Sequence, residues 1–243
     1  MSYSSLASSY DKLTENVEYE KRAAYIRSLL LKNGAERGVL LDLACGTGTL
    51  SLELSKFGYD MILCDLSAEM LSFAREKLPD ALILCQSMTE LDLYGTINHA
   101  VCSLDSINHL LKPCDVKAAF ASVSLFMEKG GVFVFDVNTP YKHEKVLGNN
   151  SFVSEKDNVF CVWQNSYKRK SKTVDINIDI FIKEENKYER LRESFSERAY
   201  SLEDIKKWLG ETGFEVTGVY DDMTEDKPTE TSERVYFTAV KKR

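Results

Sequence analysis

The chain has 243 residues, 44% of them apolar and 28% charged, with a formal net charge of −7. That length buries a substantial core as one domain with room for an insert, and the acidic balance argues against a nucleic-acid partner. No apolar run reaches the roughly 20 residues of a membrane span, and the opening MSYSSLASSYDKL lacks the basic start and apolar centre of a secretory signal. The expected setting is cytoplasmic, with no membrane partner.

Six cysteines (Cys45, Cys64, Cys85, Cys102, Cys114, Cys161) form no CxxC pair. Reduced thiols are expected, several of them inside apolar strand-like runs. His99, His109 and His143 show no metal-ligand spacing, and no metal is expected.

Residues 1–17 read as a tail or a flap, with Tyr10 prominent. A helix is predicted over Glu18 to Leu31, stopped by Asn33-Gly34. Strand 1 follows from Gly38 to Ala44, then a turn at Gly46 and Gly48, then a helix from Thr49 to Phe57. Tyr59 to Asp65 is a second strand. Ser67 caps the next helix, which Pro79 ends. Ala81 to Cys85 and Asn98 to Leu104 are further strands. A helix runs from Pro113 to Met127, and Val132 to Val137 is strand 5. This alternation predicts an α/β fold, a doubly wound Rossmann-like sheet with helices on both faces.

After Pro140 the pattern changes. Ile176, Ile178, Ile180 and Ile182 alternate with Asp175, Asn177, Asp179 and Phe181, the period of a strand with two different faces. Three antiparallel strands are predicted within 158–199, forming an inserted β subdomain. Ser201 caps a helix to Glu211, and strands at Phe214 to Tyr220 and Arg234 to Val240 complete the main sheet. The expected organisation is 1–140 for the flap and core, 141–200 for the insert, and 201–243 for the closing elements.

The stretch Val39 to Leu50, VLLDLACGTGTL, is a strand, a glycine turn and a helix start, which suits a nucleotide-like ligand. A nicotinamide fingerprint needs G-x-G-x-x-G, but Ser51 stands where the third glycine belongs. Asp42 would repel a pyrophosphate and suits a ligand carrying an ammonium group. S-adenosylmethionine is such a ligand. A dehydrogenase is thus a weaker rival.

DLACGTGTL resembles motif I of the class I S-adenosylmethionine-dependent methyltransferases, and CDLSAEML resembles their second motif. The opening YDKLT is similar to that of the YqeM-like and sugar N-methyltransferase-like bacterial branch. The resemblance runs from Tyr10 to the terminal RVYFTAVKK. It implies a seven-stranded sheet with its last strand antiparallel. It also implies cofactor contacts from Asp42, Ala44, Cys45, Gly46 and Gly48 at the methionine end. Asp65 would hold the ribose, Leu66 and Met70 would pack on the adenine, and Ser87 and Met88 would lie at its edge. Ser103 would sit near the transferring methyl, with Tyr10 and Tyr19 closing over the cofactor. Ser87 replaces the acid many members carry, and Ala44 replaces the first glycine.

The segment DSINHL is similar to S-S-I-G-H-L of the sugar N-methyltransferases and places His109 as the candidate catalytic base, an imidazole suited to taking a proton near neutrality. Asp105, Asn108, Asp136, Asn138, Trp163 and Arg198 are candidate substrate contacts. The expected reaction moves a methyl from S-adenosyl-L-methionine to an N or O atom of a small-molecule acceptor, releasing S-adenosyl-L-homocysteine. A monomer or homodimer is expected. The rivals are an RNA or ribosome-associated methylase and a non-catalytic S-adenosylmethionine-binding protein.

Overall fold

The computed structural model describes residues 17–242. After α1 (Tyr19–Lys32) the chain alternates through β1 (Gly38–Leu43), α2 (Thr49–Ser55), β2 (Tyr59–Asp65), α3 (Ala68–Lys77) and β3 (Leu82–Cys85). Then come β4 (His99–Cys102), a 3-10 turn (Ser106–His109), α4 (Pro113–Phe126) and β5 (Val132–Asn138). A π-helical turn (Lys142–Leu147) leads into β6 (Ser151–Lys156), β7 (Val159–Lys168), β8 (Thr173–Glu184) and β9 (Lys187–Arg198). The chain closes with α5 (Leu202–Glu211), β10 (Phe214–Asp221) and β11 (Arg234–Lys241).

Seven strands form one sheet in the order β10-β11-β5-β4-β1-β2-β3. β1 runs parallel to β2 and β4, whereas β11 runs antiparallel to both β5 and β10. The order in which strands are added thus reverses at β1, with β2 on one side and β4 on the other, and that is where an open α/β sheet leaves a crevice at its carboxyl ends.

Successive strand residues point to opposite faces, so each strand feeds two cores. On one face Leu41, Phe133 and Phe135 pack with Phe120 of α4 and Leu209 of α5. On the other, Leu40, Leu63 and Val134 pack with Ile26, Leu30 and Leu54 of α1 and α2. This double burial explains the near-continuous apolar runs of β1, β4 and β5. Caps fix the helix starts: the Ser67 hydroxyl accepts from Met70 N, and the Ser201 hydroxyl accepts from Asp204 N.

The second sheet has four antiparallel strands, β6-β7-β8-β9, where three were expected. The additional strand, β6, is exposed along its whole length and pairs only with β7. Its sequence, SFVSEK, sets its two apolar residues side by side, so it shows no alternation. The Lys142–Leu147 turn is likewise absent from the sequence pattern. It buries His143 and Leu147, and Leu147 joins Val174 and Ile176 of β8 in a small core.

Candidate active site

A pocket opens at the carboxyl ends of β1, β2, β3 and β4. Its floor is the turn after β1, which the sequence bends in a particular way. Ala44, Gly46 and Gly48 all have positive φ, 60°, 56° and 72°. The two glycines need that freedom for different reasons. A Cβ on Gly46 would meet no atom within 4 Å, whereas one on Gly48 would lie 3.0 Å from Ala74 Cβ of α3. Gly46 therefore leaves room for a ligand, and Gly48 lets α3 approach. Ala44 adopts the same left-handed backbone without a glycine's freedom.

Asp42 is buried at the end of β1, and its carboxylate accepts from the Ser51 hydroxyl. Ser51, which stands where the dinucleotide fingerprint has its third glycine, thus donates to the buried acid at the end of β1. Burial pushes the Asp42 carboxyl up to about 7, with the Ser51 bond opposing the rise and the charge of Asp65 adding to it. Asp65 ties two segments together: one oxygen accepts from Gly46 N at 2.8 Å and the other from Ser67 N at 2.9 Å.

The opposite wall is the segment after β4. Leu104 and Asp105 are both left-handed, at φ 57° and 54°. The fully buried Asp136 of β5 holds this bend. It accepts from Ser103 Oγ at 2.8 Å, Leu104 N at 2.8 Å and Asp105 N at 2.9 Å, and from the Arg234 guanidinium of β11. Arg234 also donates to Asp105 at 2.6 Å. Burial works against charge on Asp105, but Arg234, with Lys142 and His109, outweighs it and holds that carboxyl below the usual range. Burial, reinforced by Arg234, pulls the Lys142 ammonium down. The bend delivers Ser103, Leu104, Ser106 and His109 to the pocket.

Of the residues expected at the cofactor, Tyr19, Asp42, Ala44, Cys45, Gly46 and Asp65 line this pocket. Leu66, Met70, Ser87, Met88 and Ser103 do so too, as does His109. Gly48 lies behind the wall, and Tyr10 lies outside the described residues. Thr47, Thr49, Gln86, Leu104 and Leu110 also line it, without having been singled out.

The expected substrate contacts are placed differently: none of the six lines the pocket. Asp136 is consumed by the bend it holds. Asn108 is fully buried and acts as a clamp, donating to Asn138 O at 3.1 Å and Arg198 O at 3.0 Å and accepting from Asn138 N at 2.9 Å. The Asn138 amide donates to Glu197 and accepts from Lys142. Arg198 donates to Leu111 O and lies over the Tyr200 ring. Trp163 donates to Asn165 and packs against Phe152 within the insert. Asp105 is paired with Arg234 and does not line the pocket.

His109 also meets the insert. Its ring lies 5.1 Å from that of Phe195 on β9. Asp105, His109 and Glu197 each offer a ligand-type atom, all within 4.8 Å of one another. No sequence spacing announced this grouping. Its dimensions suit a cation, but Arg234 already pairs with Asp105 and the Lys142 ammonium lies near both carboxylates.

This geometry is a Rossmann-like sheet with an acid-bearing glycine turn and no dinucleotide fingerprint, and it defines the class I S-adenosylmethionine-dependent methyltransferases. A methyltransferase-domain family model matches residues 40–131. The chain is 32% identical over 245 residues to YqeM of Bacillus subtilis (strain 168), provisionally named a methyltransferase, covering 99% of this chain and 98% of that one. The crystal structure of an S-adenosylmethionine-dependent methyltransferase from Clostridium acetobutylicum ATCC 824 superposes with a TM-score of 0.90 at 33% identity, covering 99% of both chains. Over 119 residues, 49% of this chain and 50% of the relative, it is 34% identical to a dTDP-3-amino-3,4,6-trideoxy-alpha-D-glucopyranose N,N-dimethyltransferase of Streptomyces venezuelae. The chain belongs to the S-adenosylmethionine-dependent methyltransferases, in the branch that includes YqeM.

Proposed function

We propose that this enzyme methylates an N or O atom of a small-molecule acceptor, with His109 as the proton-accepting residue. The observation that carries the reading is one continuous pocket running from the acid-bearing glycine turn to the imidazole of His109. The sugar N,N-dimethyltransferase likeness over half the chain supports an amine- or hydroxyl-bearing acceptor.

The pocket fits the methyl donor. Gly46 leaves its Cβ space open, a buried carboxylate stands at Asp42, and the apolar side chains of Leu66 and Met70 line one side. Asp42 would face the donor's ammonium group, Asp65 would accept from its ribose hydroxyls, and Leu66 and Met70 would flank its adenine. When bound, the donor supplies a methyl on a positively charged sulfur, open to in-line displacement. The protein's part is alignment and exclusion of water. An amine or hydroxyl acceptor sheds a proton as it gains the methyl, and His109 is the imidazole on the wall that can take it.

Two variants separate these roles. Asp65→Ala weakens S-adenosylmethionine binding by about 1.5–3 kcal/mol, the range for a hydrogen bond to a charged group. His109→Ala spares that binding, read by calorimetry, and lowers methyl incorporation. Undiminished incorporation in His109→Ala overturns its role.

A further inference from the structure

Phe195 and Glu197 stand two residues apart on β9, so they project to the same side of the strand. Both reach His109. Phe195 supports the ring face, and a Glu197 oxygen lies within 4.8 Å of a ring nitrogen. Glu197 is buried, at 3% exposure, in a sheet whose other charged residues are mostly at the surface.

Its partners explain what a buried carboxylate is doing there. It accepts from Asn138 Nδ2 at 3.2 Å and lies 3.1 Å from Nε2 of His143. His143 is fully buried and its Nδ1 has no hydrogen-bond partner among the described residues. A bare lone pair costs less there than a buried, unpaired N–H, so the tautomer protonated at Nε2 fits and donates to Glu197. Neither direct partner of Glu197 is a lysine or arginine. Asp105, the other acid beside His109, is instead ion-paired with Arg234. Asp136 is paired with Arg234 as well, and Lys142 donates to Asn138. Arg198 turns away to Leu111 O. Of these acids around the imidazole, Glu197 is the one without a direct ion pair to a lysine or arginine, although the Lys142 ammonium lies near enough to feel its charge.

We propose that Glu197 is a positioning residue for His109, so that the inserted sheet supplies the charge stabilising the protonated imidazole. This rests on His109 being the proton acceptor. As the acceptor's new N–C or O–C bond forms and the donor's C–S bond breaks, the acceptor's N–H or O–H proton passes to the unprotonated nitrogen of His109. Nothing is oxidised or reduced. The imidazolium formed is held by Glu197, which His143 and Asn138 keep in place. One element of the insert thus completes a site otherwise built by the main sheet.

Diethyl pyrocarbonate tests this without an acceptor or cofactor, because it acylates only neutral imidazole. Peptide mapping separates His109 from His99 and His143. At about pH 6, within the range where imidazole charges, His109 of Glu197→Gln reacts several-fold faster than in the native protein. At about pH 8.5, where imidazole is neutral, the two proteins react equally. The same acceleration at both pH values means that Glu197 only shields the ring, and equal rates at both mean that its charge is not felt; either result overturns the proposal. Should Glu197→Gln not fold by circular dichroism, Glu197→Asp takes its place. It retracts the charge by one methylene and gives a smaller acceleration with the same pH pattern, and the same two results count against it. The labelling stands apart from the His109→Ala incorporation assay, so the two readings fail separately.

Discussion

At the scale of single residues, Gly46 and Gly48 make a paired test. A methyl added at Gly48 meets Ala74 of α3 at 3.0 Å in a left-handed backbone, so Gly48→Ala lowers stability by about 1–3 kcal/mol. Gly46→Ala bears only the backbone cost, about 1–2 kcal/mol, yet fills pocket space and reduces cofactor affinity more than Gly48→Ala does. Denaturation midpoints and calorimetry on both variants check the ordering. Asp42 gives a pH dependence. Its carboxyl is raised to about 7 in the folded protein, so ionising it between its unfolded value and that point opposes folding, and stability falls as pH rises across that window. A bound ammonium favours the ionised form. Cofactor affinity therefore rises by close to tenfold per pH unit between about pH 5 and 6.5, with a proton released to buffer. A flat profile contradicts the pairing. These residues were legible in the sequence because their meaning is local: Asp42, Gly46 and Asp65 act within 24 positions of one another along the chain. Asp136 was not. Its burial and its place at a strand end fit a ligand contact equally well until Arg234, 98 residues away, is seen beside it.

At the scale of elements, the bend after β4 is the joint on which the site depends. Asp136 fixes one side of it, and Asn108 fixes the other by bonding β5 and β9 at once. Asn108→Ala strands an amide and two carbonyls away from water and lowers stability by about 2–4 kcal/mol. It also loosens His109 while leaving the glycine turn intact. Chemical denaturation and cofactor calorimetry together check this: a lower midpoint with retained affinity is expected, and an unchanged midpoint speaks against the clamp. Helices and central strands were readable from period and caps, since each carries its own pattern. β6 was not, because an exposed edge strand needs no alternation. The Lys142–Leu147 turn was not, because what stabilises it is the burial of His143 and Leu147 against the insert.

At the scale of the molecule, two sheets divide the work. The seven-stranded sheet carries the contiguous motifs around the pocket, which is why the sequence identifies the family. The four-stranded sheet meets the segment after β4 at the end of β9, where Phe195 and Glu197 face His109 and Arg198 O accepts from Asn108. Several candidate substrate residues were hard to place for that reason, since contacts such as Asn108 to Arg198 and Asp105 to Arg234, 90 and 129 positions apart, leave no local signature. The net charge of −7 disfavours a polyanionic acceptor at long range, and among the described residues no helix is long and apolar enough to cross a membrane. The most direct test supplies the purified protein with methyl-labelled S-adenosylmethionine and two parallel acceptor pools, metabolites and total RNA. Label in a low-molecular-weight product, with matching release of S-adenosylhomocysteine and loss of both in His109→Ala, is the predicted result. Label confined to RNA, or cofactor bound with no label in either pool, would contradict it.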